Sequence, residues 1–87
     1  MGKHVKIATA GNVLVPAYLA LCAKGYSVTR IVDTGGMTET WRAIKEGEEF
    51  IAEDAVLLLG LVAMYEERGT CWKAEDAEID AFLKQFP

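Results

Sequence analysis

The segment from Asp54 to Gly69 constrains the fold more than any other part of the chain. Asp54 is a favourable N-cap residue, because its carboxylate can accept hydrogen bonds from the free amides of a first helical turn. Gly69 suits the position after a last turn, and Arg68 complements the negative end of a helix dipole. Residues Ala55 to Tyr65 are all apolar or glycine. A surface helix would show one apolar stripe, so we predict a central helix that is covered on several sides.

The N-terminal third predicts a strand, a helix and a second strand. Residues His4–Thr9 alternate in polarity, which is typical of a strand with one buried face. Asn12 can cap a helix that ends at Gly25, and a helix start nearer Pro16 is the alternative. The β-branched residues of Tyr26–Val32 predict the second strand. A strand–helix–strand unit of this length implies parallel strands and a right-handed crossover.

The middle of the chain predicts a hairpin. Thr40–Lys45 and Glu48–Glu53 flank Glu46-Gly47, a two-residue turn in which glycine can take positive φ. In this register Trp41 lies on the same sheet face as Phe50. A slip of one residue would expose Trp41 to water, so burial of this side chain should fix the register.

The C-terminal segment Ala74–Phe86 predicts a last helix with one apolar stripe. Its apolar residues recur at spacings of three, four and seven, and they are Ile79, Phe82, Leu83 and Phe86. The connector after the central helix is short, so we expect the last two helices to form a hairpin. The chain as a whole predicts an α/β (α+β) fold in a single domain, residues 1–87. The expected order is β-α-β-β-β-α-α, with a four-stranded mixed sheet and three helices.

Composition indicates a partner. The chain has 87 residues, of which 52% are hydrophobic. One small core can hardly bury so much apolar material, and a subunit interface is the natural outlet. We therefore expect a homodimer or a protein partner. A monomer with scattered exposed apolar side chains is the alternative.

Charge and residue usage exclude several classes of protein. The formal net charge is −4 and there is no cluster of basic residues, which argues against nucleic-acid binding. The longest apolar run is far below the ~20 residues of a membrane span. No secretion or myristoylation signal opens the sequence, so we expect a cytoplasmic protein with its two cysteines reduced. His4 is the only histidine, and we predict no metal and no cofactor.

The first candidate site is Gly11-Asn12, after the first predicted strand. Amides at a helix N-terminus bind anions well, and the ends of parallel strands are where α/β folds place ligands. With Gly11, Pro16 and Gly25-Tyr-Ser-Val28, residues 5–35 resemble the opening βαβ unit of Rossmann-like proteins, including nucleotide-sugar glycosyltransferases. The resemblance implies phosphate or nucleotide binding. Because the dinucleotide fingerprint needs three spaced glycines and only Gly11 is present, ordinary helix capping is the favoured interpretation.

The second candidate site is Asp33-Thr-Gly35-Gly36, which resembles the Asp-Thr-Gly signature of aspartic proteases. Some of those enzymes are homodimers of short chains, each of which supplies one carboxylate. That fold is nearly all β, whereas this chain predicts three helices, and a second glycine replaces the usual small side chain. We therefore reject the protease. The favoured interpretation is a turn at the end of a strand, in which Asp33 bonds to nearby amides.

A third candidate site is Cys71 with Trp72 and Lys73. A cysteine near a helix start and beside a lysine can have a lowered pKa and act as a nucleophile. It has no histidine base unless His4 folds close to it, and a buried thiol beside a packed Trp72 is the favoured alternative. The nearby acidic residues lack the spacing of a calcium loop and should form a solvated helix face.

The sequence favours a small non-enzymatic binding protein that works through protein contacts. Such a protein would be a regulator, an inhibitor or immunity-type partner, or an accessory subunit. We assign no catalytic residue. The second hypothesis is a small-ligand or anion site, for phosphate or a nucleotide, at Gly11, Asn12, Asp33, Gly35 and Gly36. An enzyme that uses Cys71 or Asp33 is the third.

Overall fold

The computed structural model describes residues 4–33 and 35–87. Three helices and three strands follow one another in the order α-β-β-β-α-α: α1 Leu14–Ala23, β1 Ser27–Val32, β2 Glu39–Lys45, β3 Glu48–Ala52, α2 Ala55–Arg68 and α3 Asp76–Gln85. A short 3₁₀ turn, Gly69–Cys71, lies between the last two helices. The protein is thus a small α+β domain, and the prediction of three helices is confirmed.

The sheet differs from the prediction in strand number and direction. In the described part of the chain it has three strands in the order β1-β2-β3, and both pairings are antiparallel. Residues 4–8 form no strand, and the side chain of Ile7 is 80% exposed. The prediction of a βαβ unit is therefore wrong. The resemblance to Rossmann-like proteins depended on that unit and loses its structural basis. Alternation indicates which face of a strand could be buried, but a strand forms only where another strand pairs with it.

The β2–β3 hairpin forms as predicted. Glu46 and Gly47 both have positive φ, 46° and 85°, as a two-residue hairpin turn of type I′ requires. Trp41 pairs with Ala52 and Ala43 pairs with Phe50, so these four side chains share one face of the sheet. The opposite face bears Ile44 and Ile51, both exposed, among polar side chains.

Helix α2 has both predicted ends. Asp54 is its N-cap and accepts a hydrogen bond from the Leu57 amide at 2.8 Å. Gly69 has φ +70° and donates to the carbonyl of Tyr65, which closes the last turn. In the described chain α1 and the β2–β3 hairpin pack against this helix, while another part of its surface stays exposed, so the prediction that it is covered on several sides holds in part. Its buried residues are Ala55, Leu58 and Val62, and Leu57 faces solvent.

The core lies between α2, α1 and one face of the sheet. Its buried members come from every element except β1 and α3, and they are Leu21, Tyr26, Ala43, Ala52, Leu58 and Val62. Val28 of β1 packs against this cluster, as do Trp41 and Leu61, which are only partly buried. The apolar pattern of the sequence predicts burial of Leu58, Leu61 and Trp41, and of these three Leu58 alone is fully buried.

Helix α1 begins one residue later than expected and ends as predicted. Its N-cap is Val13, not Asn12, and no side chain caps it. At its end the Gly25 amide donates to the Cys22 carbonyl, and the Tyr26 amide donates to the Leu21 carbonyl. These two bonds form a Schellman motif, for which Gly25 supplies φ +94°.

Helix α3 does not form the predicted helical hairpin with α2. A capping box of Glu75 and Glu78 starts it, but none of its residues is buried. The radius of gyration of the chain is 15.9 Å. A compact domain of this length would have a radius of gyration of about 12 Å. A short connector limits the distance between two helices, but packing also requires a complementary face, which α2 does not offer to α3.

We predict that the substitution Leu58→Ala lowers the free energy of unfolding by about 2–5 kcal/mol, because it removes buried apolar contacts and leaves a cavity. The matched control is Leu57→Ala in the same turn, which should cost less than about 1 kcal/mol because Leu57 is half exposed. Urea titrations followed by circular dichroism measure both values. Equal losses for the two variants would show that Leu58 does not belong to the core.

Candidate functional site

The turn that precedes α1 borders a cleft. Gly11 donates its amide to the Ala8 carbonyl at 3.2 Å, and this bond closes the turn. The cleft has a volume of about 410 Å³ and lies between this turn and the first turns of α1 and α2. It is lined by Thr9, Gly11, Asn12, Val13, Leu14, Asp54, Val56 and Leu57.

The chemistry of this cleft is mainly apolar. The carboxylate of Asp54 lies in its wall and already satisfies the first turn of α2 through the Leu57 amide. Helix α1 has no capping side chain and no acidic residue in its first turn. The start of α1 therefore keeps free amide donors, as an anion site needs, but the Asp54 charge opposes a second negative charge nearby.

The turn between β1 and β2 is built around Asp33. Its Oδ1 accepts from the Met37 amide at 2.9 Å, and its Oδ2 accepts from the Thr38 hydroxyl at 2.7 Å. The Gly36 amide donates to the Asp33 carbonyl at 2.9 Å, and Gly36 has φ +68°. Both carboxylate oxygens are thus used inside the turn. The hydrogen bond from the Thr38 hydroxyl, together with the Met37 amide, lowers the pKa of Asp33 below its ordinary value.

The two predicted halves of the ligand site do not share this cleft. Gly11 and Asn12 line it, whereas Asp33, Gly35 and Gly36 are not among its lining residues. Gly35 and Gly36 are exposed in their own turn. Anion binding at either turn stays a prediction, and a single pocket made by both turns has no support from the described cavities.

The third candidate site, at Cys71, lies on the surface of the described chain. Cys71 is an exposed free thiol in the 3₁₀ turn, not a buried one. Its neighbour Trp72 lines an apolar groove of about 330 Å³ beside β3 and α2, together with Glu49, Phe50, Ile51, Leu61, Met64 and Tyr65. Among the described residues, no group of three or more His, Cys, Asp and Glu side chains is placed to hold a metal ion. None of the described helices has the length and apolar character needed to cross a bilayer.

One polar cluster penetrates the core, and its role is structural. The buried Tyr26 donates its hydroxyl to Glu48 Oε1 at 3.0 Å, and its ring meets Phe50 edge-on with 5.8 Å between the centroids. Burial, with the hydrogen bond to Glu48, raises the pKa of Tyr26 to about 12. The phenol is therefore protonated at neutral pH and acts as a fixed donor that joins β3 to the chain after α1.

Two apolar helix faces have no partner in the described chain. The α1 stripe consists of Val15, Tyr18, Leu19 and Cys22, which are all exposed. The α3 stripe consists of Ile79, Phe82, Leu83 and Phe86, which are exposed too. The signal for the α1 stripe was present in the sequence, since α1 is apolar on all sides while one sheet can cover only one of them.

Comparison with known proteins finds no matching family model, no similar curated protein and no similar solved structure.

We predict that the carboxyl group of Asp33 titrates below its ordinary pKa, and that Thr38→Val raises this pKa by removing the hydroxyl donor. Because the folded pKa is the lower one, Asp33 stabilises the fold at neutral pH, and this contribution is lost as the pH falls through the folded pKa. Carbon-13 NMR of the carboxyl groups measures the titration. The matched control Thr40→Val removes a β2 hydroxyl that does not bond to Asp33, and an equal shift in both variants would contradict the assignment.

Proposed function

We propose that this protein is a non-enzymatic interaction module that works through protein contacts, in the manner of a regulator, an inhibitor or immunity-type partner, or an accessory subunit. The observation that supports this proposal is the amount of surface left uncovered. The chain exposes 7105 Å², including both helix stripes. A compact monomer of 9.5 kDa would expose about 5,000 Å² according to the usual scaling of surface with mass.

The excess surface has the size of an interface. It amounts to about 2,000 Å² for one chain, and permanent dimers bury about 2,000–5,000 Å² in total. Much of it is apolar, since seventeen large hydrophobic side chains are exposed in the described part of the chain. Eight of the exposed apolar side chains lie on the α1 stripe and the α3 stripe, which are the apolar faces that a partner could cover. The composition supports cytoplasmic action with reduced thiols, and the preferred partner is a second copy of the chain.

The described polar groups support binding more than catalysis. Asp33, Asp54, Glu48 and Glu78 each bond to a neighbouring backbone or side-chain donor and stabilise a turn, a helix end or the core. Asp54 lines the cleft beside α1, but its carboxylate accepts from the Leu57 amide and caps α2. The exposed Cys71 has neither a base nor a described oxyanion-binding group beside it.

We predict that the purified chain has a mass of twice 9.5 kDa in light scattering behind a sizing column, because a twofold pairing buries the excess apolar surface in one self-complementary contact. The protein is loaded at about 100 μM and in tenfold dilutions, since a stable interface of this size usually reaches micromolar affinity or better. A soluble monomer at every concentration would contradict the proposal. A monomer that precipitates at the highest concentration would favour a different protein as partner.

The second candidate function is anion binding at the turn before α1. The observation that favours it is the uncapped start of α1 above a cleft lined by Gly11 and Asn12. Free first-turn amides bind phosphate or carboxylate groups, and a small anion could reach them from the cleft. The neighbouring Asp54 carboxylate and the apolar walls make this candidate weaker than the protein contact.

We predict for this candidate that millimolar phosphate, sulfate or a nucleotide shifts the amide NMR signals of Gly11, Asn12 and Val13. Substitution Asp54→Asn would strengthen binding, because it removes the negative charge from the cleft wall while it keeps an N-cap side chain. The signal of Gly35 serves as the internal control, since it should move only if both turns contribute. Unchanged signals with all three anions would exclude this function.

A further inference from the structure

The segment between α2 and α3, residues 69–75, is called the elbow here. It holds the last helix away from the rest of the protein. Arg68 Nε donates to the Trp72 carbonyl at 2.9 Å, and Arg68 Nη2 lies 3.1 Å from Glu78 Oε1 in α3. Glu78 also accepts from the Glu75 amide at 2.8 Å, and these donors lower the pKa of Glu78. The direction of α3 is thus set by a connected group of hydrogen bonds, while its apolar side remains without cover.

The α3 stripe cannot stay exposed at low cost. It presents two phenylalanine rings, Phe82 and Phe86, whose centroids lie 5.1 Å apart, with Ile79 and Leu83 beside them. Removal of such apolar side chains from water is the main favourable contribution to folding and association. An isolated helix of ten residues is also marginal in water, so α3 needs tertiary contacts to be stable. Both considerations indicate that a partner covers α3.

The α1 stripe matches the α3 stripe in length and spacing. Each helix has ten residues, or about 15 Å, and each stripe follows the pattern i, i+3, i+4, i+7. Helix α1 contains no charged residue, so it can accept an apolar helix without burying a charge. Glu78 and Asp80 lie away from the α3 stripe and would remain in water, whereas Asp76 lies at the first-turn end of the stripe.

The other exposed apolar surfaces suit α3 less well. The open face of the sheet has Ile31, Ile44 and Ile51, but between them Arg42 Nε lies 3.0 Å from Glu49 Oε2. A helix on this face would cover a charged pair that is half exposed to water. The groove beside Trp72 has Glu49 in its lining, which would lie close to the acidic first turn of an incoming α3.

We propose that two copies of this chain exchange their last helices, so that the α3 stripe of each copy packs on the α1 stripe of the other. This inference rests on the proposed function and specifies its interface. Reciprocal exchange produces two identical contacts about a twofold axis, and in each chain it covers the exposed side chains of both stripes. Exchange of an identical element is a common route to dimers, and the hydrogen bonds of Arg68, which direct α3 away from α2, favour it over folding α3 back on its own chain.

The test uses two variants that each damage one stripe. Leu19→Glu damages the α1 stripe and Phe82→Glu damages the α3 stripe. Both residues are more than half exposed, 57% and 59%, so each isolated chain should still fold, which circular dichroism checks. Alone, each variant loses both reciprocal contacts, and its dimer dissociation constant should rise about 100-fold or more, because a carboxylate would be buried against an apolar surface.

Mixing the two variants gives the decisive result. A mixed pair has both damaged stripes in one contact and two intact stripes in the other, so two monomeric variants should associate when combined. Light scattering of the separate and mixed samples at about 100 μM measures this. Lys84→Glu, on the opposite side of α3, and Ile51→Glu, on the open sheet face, are the matched controls, and both should remain dimeric.

A second measurement does not depend on affinity. In a Cys71→Ser background, Leu83→Cys places one thiol in the α3 stripe and leaves the native Cys22 in the α1 stripe. A short bismaleimide should then link two chains, which a denaturing gel shows as a dimer band. Lys84→Cys, on the other side of α3, should link at least tenfold less.

The outcomes separate this inference from the proposed function. A wild-type dimer whose stripe variants stay dimeric, or whose mixed variants stay monomeric, overturns the exchange while the interaction module stands. Links within one chain instead of between two also overturn it. A soluble wild-type monomer overturns both proposals.

Discussion

The packing of α2 against the β2–β3 hairpin is the contact on which the rest of the fold depends. Leu58 and Val62 are fully buried against the sheet face that bears Ala43 and Phe50. The small side chain of Ala43 lets the helix approach the strands closely, and the tight turn at Gly47 sets the register that brings Ala43 to this face. All these contacts are close in sequence, so they form with a small loss of chain entropy.

The remaining elements add to this unit to very different extents. Helix α1 contributes the buried Leu21, and Lys24 Nζ bonds to Glu66 Oε1 of α2 at 2.8 Å. Strand β1 pairs with β2 as an edge strand, and its turn is stabilised by Asp33. Helix α3 contributes no buried residue. The chain thus has a small complete core and a large incomplete exterior, which is the arrangement expected of half of an assembly.

The charged side chains also differ between the core and the exterior. Those near the core cap a helix, stabilise a turn or bond to Tyr26, and the elbow at Arg68 sets the direction of α3. The surface that these bonds leave uncovered is apolar at the α1 stripe and the α3 stripe. This is the physical reason to expect a partner with an apolar face of its own.

Local features could be predicted from the sequence because their causes are local. The ends of α2 follow from Asp54 and Gly69, the hairpin from Gly47, and the end of α1 from Gly25, since capping and positive φ involve neighbours in the chain. The turn at Asp33 also has a local cause. Its carboxylate bonds to Met37 and Thr38, which lie four and five residues along the chain, so its role in the turn could be predicted without any distant residue.

Features that need a distant partner were decided only by the tertiary structure. Residues 4–8 alternate like a strand, yet no strand in the described chain pairs with them, and the helix of residues 76–85 has an apolar stripe that α2 does not cover. The same holds for the candidate ligand site, because Gly11 and Asp33 each form a turn but do not line one cleft. Amino-acid pattern determines which face of an element is apolar, whereas the surface that covers this face depends on packing between elements far apart in the chain or in different chains.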